Sequence, residues 1–182
     1  MTNSLTVITN DISTPEKLAA LRINKDVPHF RAIARTERCT MLADLIMQAY
    51  ILKHQTPELG NMSTGQVVEL DAAALDGFIM EDIHISDYTF AEIGEAFRMG
   101  LVGKFGEYFG LNSLTFFGFL QGYLKTDKKL RAIKIVQQYN KKKKQEEYDK
   151  KQRELARMEG WGVKVKTVTW DEMVNIAKNK EI

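Results

Sequence analysis

Between Asn140 and Glu154 the only apolar side chain is Tyr148. A helix or strand formed there has no stripe to bury, so this stretch cannot belong to a hydrophobic core. The chain of 182 residues is long enough for one ordinary domain or for a compact domain carrying an appendage, and the second fits better. Acid precedes base by four residues at Glu146 and Lys150, Glu147 and Lys151, and Asp149 and Arg153. That is the favourable helical order, but each such pair contributes only about 0.2–0.5 kcal/mol. A helix over 140–160 should thus fray or project unless a partner covers it, and Gly160 is its expected stop.

The rest of the sequence is that of a folded protein. Hydrophobic residues make up 44% and charged residues 27%, which excludes a wholly disordered chain. Charge is unevenly placed. Residues 1–91 hold 7 Lys and Arg against 12 Asp and Glu, whereas residues 92–182 hold 19 against 12. Net values of −5 and +7 point to a surface that meets a charged partner. Residues 1–10 lack the basic-then-apolar order of a signal peptide, and no window approaches the ~18 unbroken apolar residues of a membrane span. A cytoplasmic protein is expected, without contact to membranes. Cys39, the single cysteine, is read as a small core residue beside Met41 and Leu42.

Periodicity then orders the body. Ser13-Thr14-Pro15-Glu16 predicts a capped helix running to about Ile23, with Ser13 as the cap and Leu18, Leu21 and Ile23 inward. Leu42, Leu45, Ile46, Ala49 and Leu52 predict a second helix ending near His54, followed by a loop over 55–65. From Glu69 to Glu95 eight acidic residues occur without one Lys or Arg, interleaved with Leu75, Phe78, Ile79 and Ile83. A helix with one buried and one acidic face fits that pattern. Thr89 and Glu92 form a second capping box, opening a helix with Ile93, Ala96 and Phe97 inward. Another helix starts near Asp127, docked by Leu130, Ile133, Val136 and Tyr139. The alternation in Trp161–Val168 reads as a short strand that must pair, for which residues 66–70 are one candidate, and Thr169 and Glu172 cap a last short helix.

Residues 105–120 carry the best motif. Gly106, Gly110, Leu111, Asn112 and Thr115 are spaced like the small residue, turn glycine, buried aliphatic, N-cap and first turn of a recognition helix, with Phe116 and Leu120 filling its inner face. Over residues 89–125 the chain thus resembles a helix-turn-helix, which implies a DNA-contacting element. Yet the outward positions Ser113, Leu114, Phe117, Gly118 and Gln121 include no Arg or Lys to grip guanine or phosphate. A helical hairpin buried by its phenylalanines explains the same residues. The segment from Glu92 to Leu124 is also similar to uncharacterised small proteins of bacterial phages and mobile elements, encoded near replication genes, which implies a replication or regulatory accessory role and no catalytic residue.

The second constellation is basic. Lys125, Lys128, Lys129, Arg131, Lys134, Lys141, Lys142, Lys143, Lys144, Lys150, Lys151 and Arg153 face 4 acidic residues across the same stretch, a net of +8. Such a helix neutralises phosphates without reading sequence. A solvated helix kept soluble by charge is the plain alternative, and Tyr139 and Tyr148 are the only stacking aromatics nearby. Glu81, Asp82, His84 and Asp87 match no metal-ligand spacing and read as acidic surface. Histidines His29 and His54 imply no catalysis, and no glycine loop ends in the Gly-Lys-Ser/Thr that holds a nucleotide.

The expectation is a mainly α protein. It comprises a flexible start over 1–10, a helical domain over 11–139 with a helix-turn-helix-like core, a projecting charged helix over 140–160 and a strand-plus-helix tail over 161–182. It is a non-enzymatic accessory protein without metal or cofactor. Its partner is DNA bound mostly without sequence preference, or alternatively a protein of the replication machinery or a virion component, and a homo-oligomer is left open.

Overall fold

The structure, a computed structural model, describes residues 12–159 and shows a mainly helical chain, with six α-helices and no strand among those residues. The expected flexible start over 1–10 and the strand-plus-helix tail over 161–182 lie outside them. None of the described helices is long and apolar enough to cross a membrane. The chain divides into two units, one through Val136 and one from Gln137.

Helix α1 (Pro15–Ile23) starts where proline and a hydroxyl meet, but the cap is Thr14 rather than Ser13. Its side chain accepts from the Lys17 N–H at 3.3 Å, and Pro15 takes the first helical position, where a missing N–H costs nothing. A single 3₁₀ turn (Phe30–Ala32) leads to α2 (Arg35–Leu52), whose Leu42, Leu45, Ile46 and Ala49 are buried at the spacing read from the sequence, while Leu52 at its end stands 70% exposed. Cys39 on this helix is only half-buried.

Helix α3 (Thr64–Glu81) opens on a capping box, in which Ser63 and Gln66 satisfy one another's backbone N–H groups. It ends at Glu81, so Ile83 is not on its inner face and stands 70% exposed. Residues 66–70, weighed above as a strand partner, lie inside this helix and have no free ladder to offer. Helix α4 (Phe90–Leu101) buries Ile93, Ala96 and Phe97 as the pattern requires. Helix α5 (Ser113–Leu124) begins at Asn112, whose side chain accepts from the Thr115 N–H at 2.9 Å. Helix α6 runs unbroken over Asp127–Glu159.

In the first unit α2 packs on α3, α3 on α5, and α5 on α4. The α4–α5 contact is close because Gly100 leaves room for a ring. A Cβ at Gly100 would lie 2.1 Å from Phe119 Cγ, and Phe97 stacks on Phe116 with centroids 4.7 Å apart. Gly122 makes the same allowance for Phe105. The segment before α2 is pinned to the turn before α4, since the Phe30 N–H donates to the Tyr88 carbonyl at 2.7 Å and the Arg31 N–H to that of Ser86 at 3.0 Å. This pinning brings two distant stretches of sequence to one place.

The α4–α5 connection departs from the helix-turn-helix pattern. It spans 102–112, whereas a helix-turn-helix joins its helices by about three or four residues. Gly106, expected as the small residue of the motif, lies in this connection at φ +102, a backbone open only to glycine at ease. Leu111, Phe116 and Leu120 are buried as expected.

Candidate nucleic-acid interface and the buried ion network

The twelve basic residues singled out above do not share one environment. Lys129 is 1% exposed, and its ammonium is held by the Glu92 carboxylate. Lys128 reaches Glu95 at 2.9 Å and is itself mostly covered. These two do not belong to a phosphate-binding surface. Lys125, Arg131 and Lys134 are exposed on the first unit.

In the second unit no described residue is buried. Lys141, Lys142, Lys144, Lys150, Lys151 and Arg153 are exposed and Lys143 is half-buried. The expected acid-before-base pairs do not form. Instead Lys142 approaches Glu146 at 3.9 Å, and the Gln145 amide donates to Asp149 at 2.8 Å. Both are exposed contacts in the less favourable order or without a cation, so they hold the charges loosely. Of Lys141–Lys144, only Lys142 has an ion pair among the described residues. Three neighbouring ammonium groups therefore remain available to anions.

The residues of the motif segment have structural duties. Asn112 caps α5, the Thr115 hydroxyl donates to the Gly110 carbonyl at 2.8 Å, and the Leu111 carbonyl accepts from the buried Tyr50 hydroxyl at 2.6 Å. Burial and the nearby Asp71 push that phenol up to about 12. Asp71 also accepts from the Ser113 N–H at 3.0 Å, so α3 helps to fix the start of α5.

Around Glu92 lies a cluster whose partners are far apart in the sequence. The carboxylate is fully buried and accepts from the Thr89 N–H at 2.8 Å, the Thr89 hydroxyl at 3.2 Å, Arg22 at 2.9 and 3.1 Å, and Lys129. Arg22 also pairs with Asp87, which in turn takes Arg31 at 3.1 Å and lies 3.5 Å from the His29 ring. The Lys129 ammonium sits 4.0 Å from the Tyr88 ring centroid. Burial outweighs the pull of Glu92 and lowers the Lys129 ammonium to about 8. Burial likewise raises the phenols of Tyr88 and Tyr123. Just outside, burial alone would raise the Glu95 carboxyl, but Arg98 and Lys128 hold it below its ordinary value.

A second buried pair joins α2 to α3. Arg38 donates to Asp76 at 2.6 and 3.1 Å and to the Ile33 carbonyl at 2.7 Å, and its guanidinium lies 5.5 Å from the Phe30 ring centroid. Asp76 raises the Arg38 guanidinium above its ordinary value. In both clusters the buried charges are matched by directed hydrogen bonds.

The acidic group read as surface is parted. Asp82 accepts from the His84 and Ile85 N–H groups in its own turn, Asp87 joins the Arg22 network, and Glu81 stays exposed. Among the described residues no three His, Cys, Asp or Glu side chains converge as metal ligands would. Two signals for the Glu92 network were present in the sequence. Lys129 shares a helical phase with the inward Ala132 and Val136, and Glu92 was legible as a capping residue, though not as a partner for distant cations. Compared with family models, with curated proteins and with solved structures, the chain matches none.

Proposed function

We propose that this chain is a non-enzymatic, nucleic-acid-associated accessory protein that holds phosphate backbones through the lysine-rich part of α6. The observation that carries the reading is the run Lys141–Lys144, exposed except for the half-buried Lys143, in which Lys142 alone has an ion pair among the described residues. Lysine is a compact point charge that attracts phosphate without demanding a base edge, so binding should be insensitive to sequence and steeply dependent on salt. Lys150, Lys151 and Arg153 extend the same exposed segment. Direct base reading by α5 has no support, because its exposed residues Leu114, Gly118 and Gln121 include no cation. A role beside replication genes of phages or mobile elements rests on the resemblance of residues 92–124 alone.

The test is binding to random-sequence duplex and single-stranded DNA across a salt series, for the parent chain and for a variant with Lys141–Lys144 changed to Gln. Binding at low salt that weakens steeply as salt rises, and that the variant loses, is the expected result. Absence of binding to either strand type at low salt would overturn the reading. The charged helix would then be better understood as a protein-docking element of an adaptor.

A further inference from the structure

Helices α3 and α5 lie side by side, and at their junction the rings of Phe78 and Phe117 meet with centroids 5.7 Å apart. Beside these rings runs a groove of about 420 Å³ lined by Phe78, Glu81, Asp82, Ile83, Phe117 and Gln121. Ile83 is 70% exposed, and Leu114, one turn before Gly118 on α5, is 67% exposed. Large apolar side chains grouped around a concave floor mark an interaction surface more than scattered ones do.

Two glycines sharpen this. Gly77 lies four residues before Glu81 on α3, and Gly118 lies four after Leu114 and three before Gln121 on α5, so each shares a helical face with a residue that lines the groove. A Cβ at either would meet nothing within 4 Å. The fold itself does not need them, and glycine weakens a helix interior relative to alanine. What glycine provides at such a place is room for another backbone to come close.

Charge narrows the occupant. Neither α3 nor α5 contains a Lys or Arg, and the groove's charged residues are the carboxylates Glu81 and Asp82. Phosphate would be repelled, and a second copy meeting this face with its own would set carboxylate against carboxylate. An occupant with cations beside its apolar contacts satisfies both features of the face.

We propose that the α3–α5 groove docks an amphipathic helix of another protein, one whose apolar stripe is flanked by Lys or Arg. The mode is helix-in-groove, with apolar residues on the Phe78–Phe117 floor, the helix backbone over Gly77 and Gly118, and a basic flank toward Glu81. This surface lies in the unit that ends at Val136 and is opposite in charge to the lysine run.

The experiment uses the full chain and two labelled helical peptides with the same leucine and alanine stripe, one flanked by Lys and Arg, the other by Glu. Fluorescence anisotropy should show the basic peptide binding at least about tenfold more tightly than the acidic one. Gly118→Leu, whose side chain enters open space, should weaken the basic peptide by about tenfold or more while thermal unfolding is not lowered. Glu81→Lys should weaken it and flatten its salt dependence. Equal binding of the two peptides, or unchanged affinity in Gly118→Leu, overturns the proposal. So does a concentration-dependent dimer in sedimentation that Gly118→Leu abolishes, because the face would then belong to a second copy.

Discussion

Glu92 is the anion that two buried cations share, and its loss would not fall on them equally. Arg22 keeps Asp87 when Glu92 is removed, but Lys129 has no second carboxylate within ion-pair distance among the described residues. Removing one partner of a buried pair leaves a charge without compensation, at a cost of about 3–5 kcal/mol. Glu92→Gln should therefore lower stability by about that amount in urea unfolding. Lys129→Met should cost less, because Glu92 retains Arg22 and Thr89. Equal losses would place the weight of the cluster elsewhere. The same lysine sets a pH dependence. Its folded value of about 8 lies below its ordinary 10.5, so between those values the unfolded chain holds a proton that the folded one has released. Stability then rises with pH across that window, by at most about 1.4 kcal/mol per unit. Tyr88 and Tyr123, raised by burial, oppose this once the unfolded phenols ionise above about 10. The rise from pH 8 should be flattened in Lys129→Met; parallel curves for both proteins would show that another group is responsible. Glycines separate just as cleanly. Gly100→Ala drives a Cβ to 2.1 Å from Phe119 and should destabilise, whereas Gly118→Ala meets nothing within 4 Å. The latter should stabilise by about 0.5–1 kcal/mol, read as a higher unfolding midpoint.

Among the helices, what the sequence disclosed was local and what it concealed was long-range. Pro15, the Thr89–Glu92 box and Asn112 marked helix starts because capping joins residues three apart or fewer. The Ser63–Gln66 box has the same form but sits amid Gly60, Asn61 and Gly65, so the start of α3 was hidden inside a predicted loop. Of the residues spaced like a helix-turn-helix, Leu111 is buried and Asn112 caps α5, whereas Gly106 belongs to a long connection. Arg22 with Asp87 and Lys129 with Glu92 are 65 and 37 residues apart, a separation at which no periodicity links the partners. Lys129 therefore read as one more lysine of a basic run. Helix α6 carries the element-scale prediction. Beyond Val136 none of its described residues is buried, so its amides rely on weak exposed contacts for protection. In native-state hydrogen exchange, amides of residues 138–158 should exchange much faster than those of α4, whose Ile93 and Ala96 are fully buried. Protection equal to that of α4 would mean that the segment has a covering partner.

At the scale of the molecule, the proposed function gives stability and phosphate binding to different lysines. Lys129 is built into the core through Glu92, while Lys141–Lys144 bury little and hold one loose pair at 3.9 Å. Changing those four to Gln turns the formal net charge from +2 to −2 without removing a core contact. Surface changes of that kind usually shift stability by no more than about 0.5 kcal/mol each, so the thermal midpoint should stay close to that of the parent. The binding isotherm should not. Each phosphate neutralised on duplex DNA adds about 0.9 to the slope of log affinity against log salt, so losing four contacts should flatten that slope by about three to four. Lys129→Met is the reciprocal case, since it should lower the midpoint and leave the salt slope as it was. If Lys129→Met flattens the slope, or the four-glutamine variant loses its fold, then the division between structural and phosphate-binding lysines fails, and with it the reason for placing the interface beyond Val136.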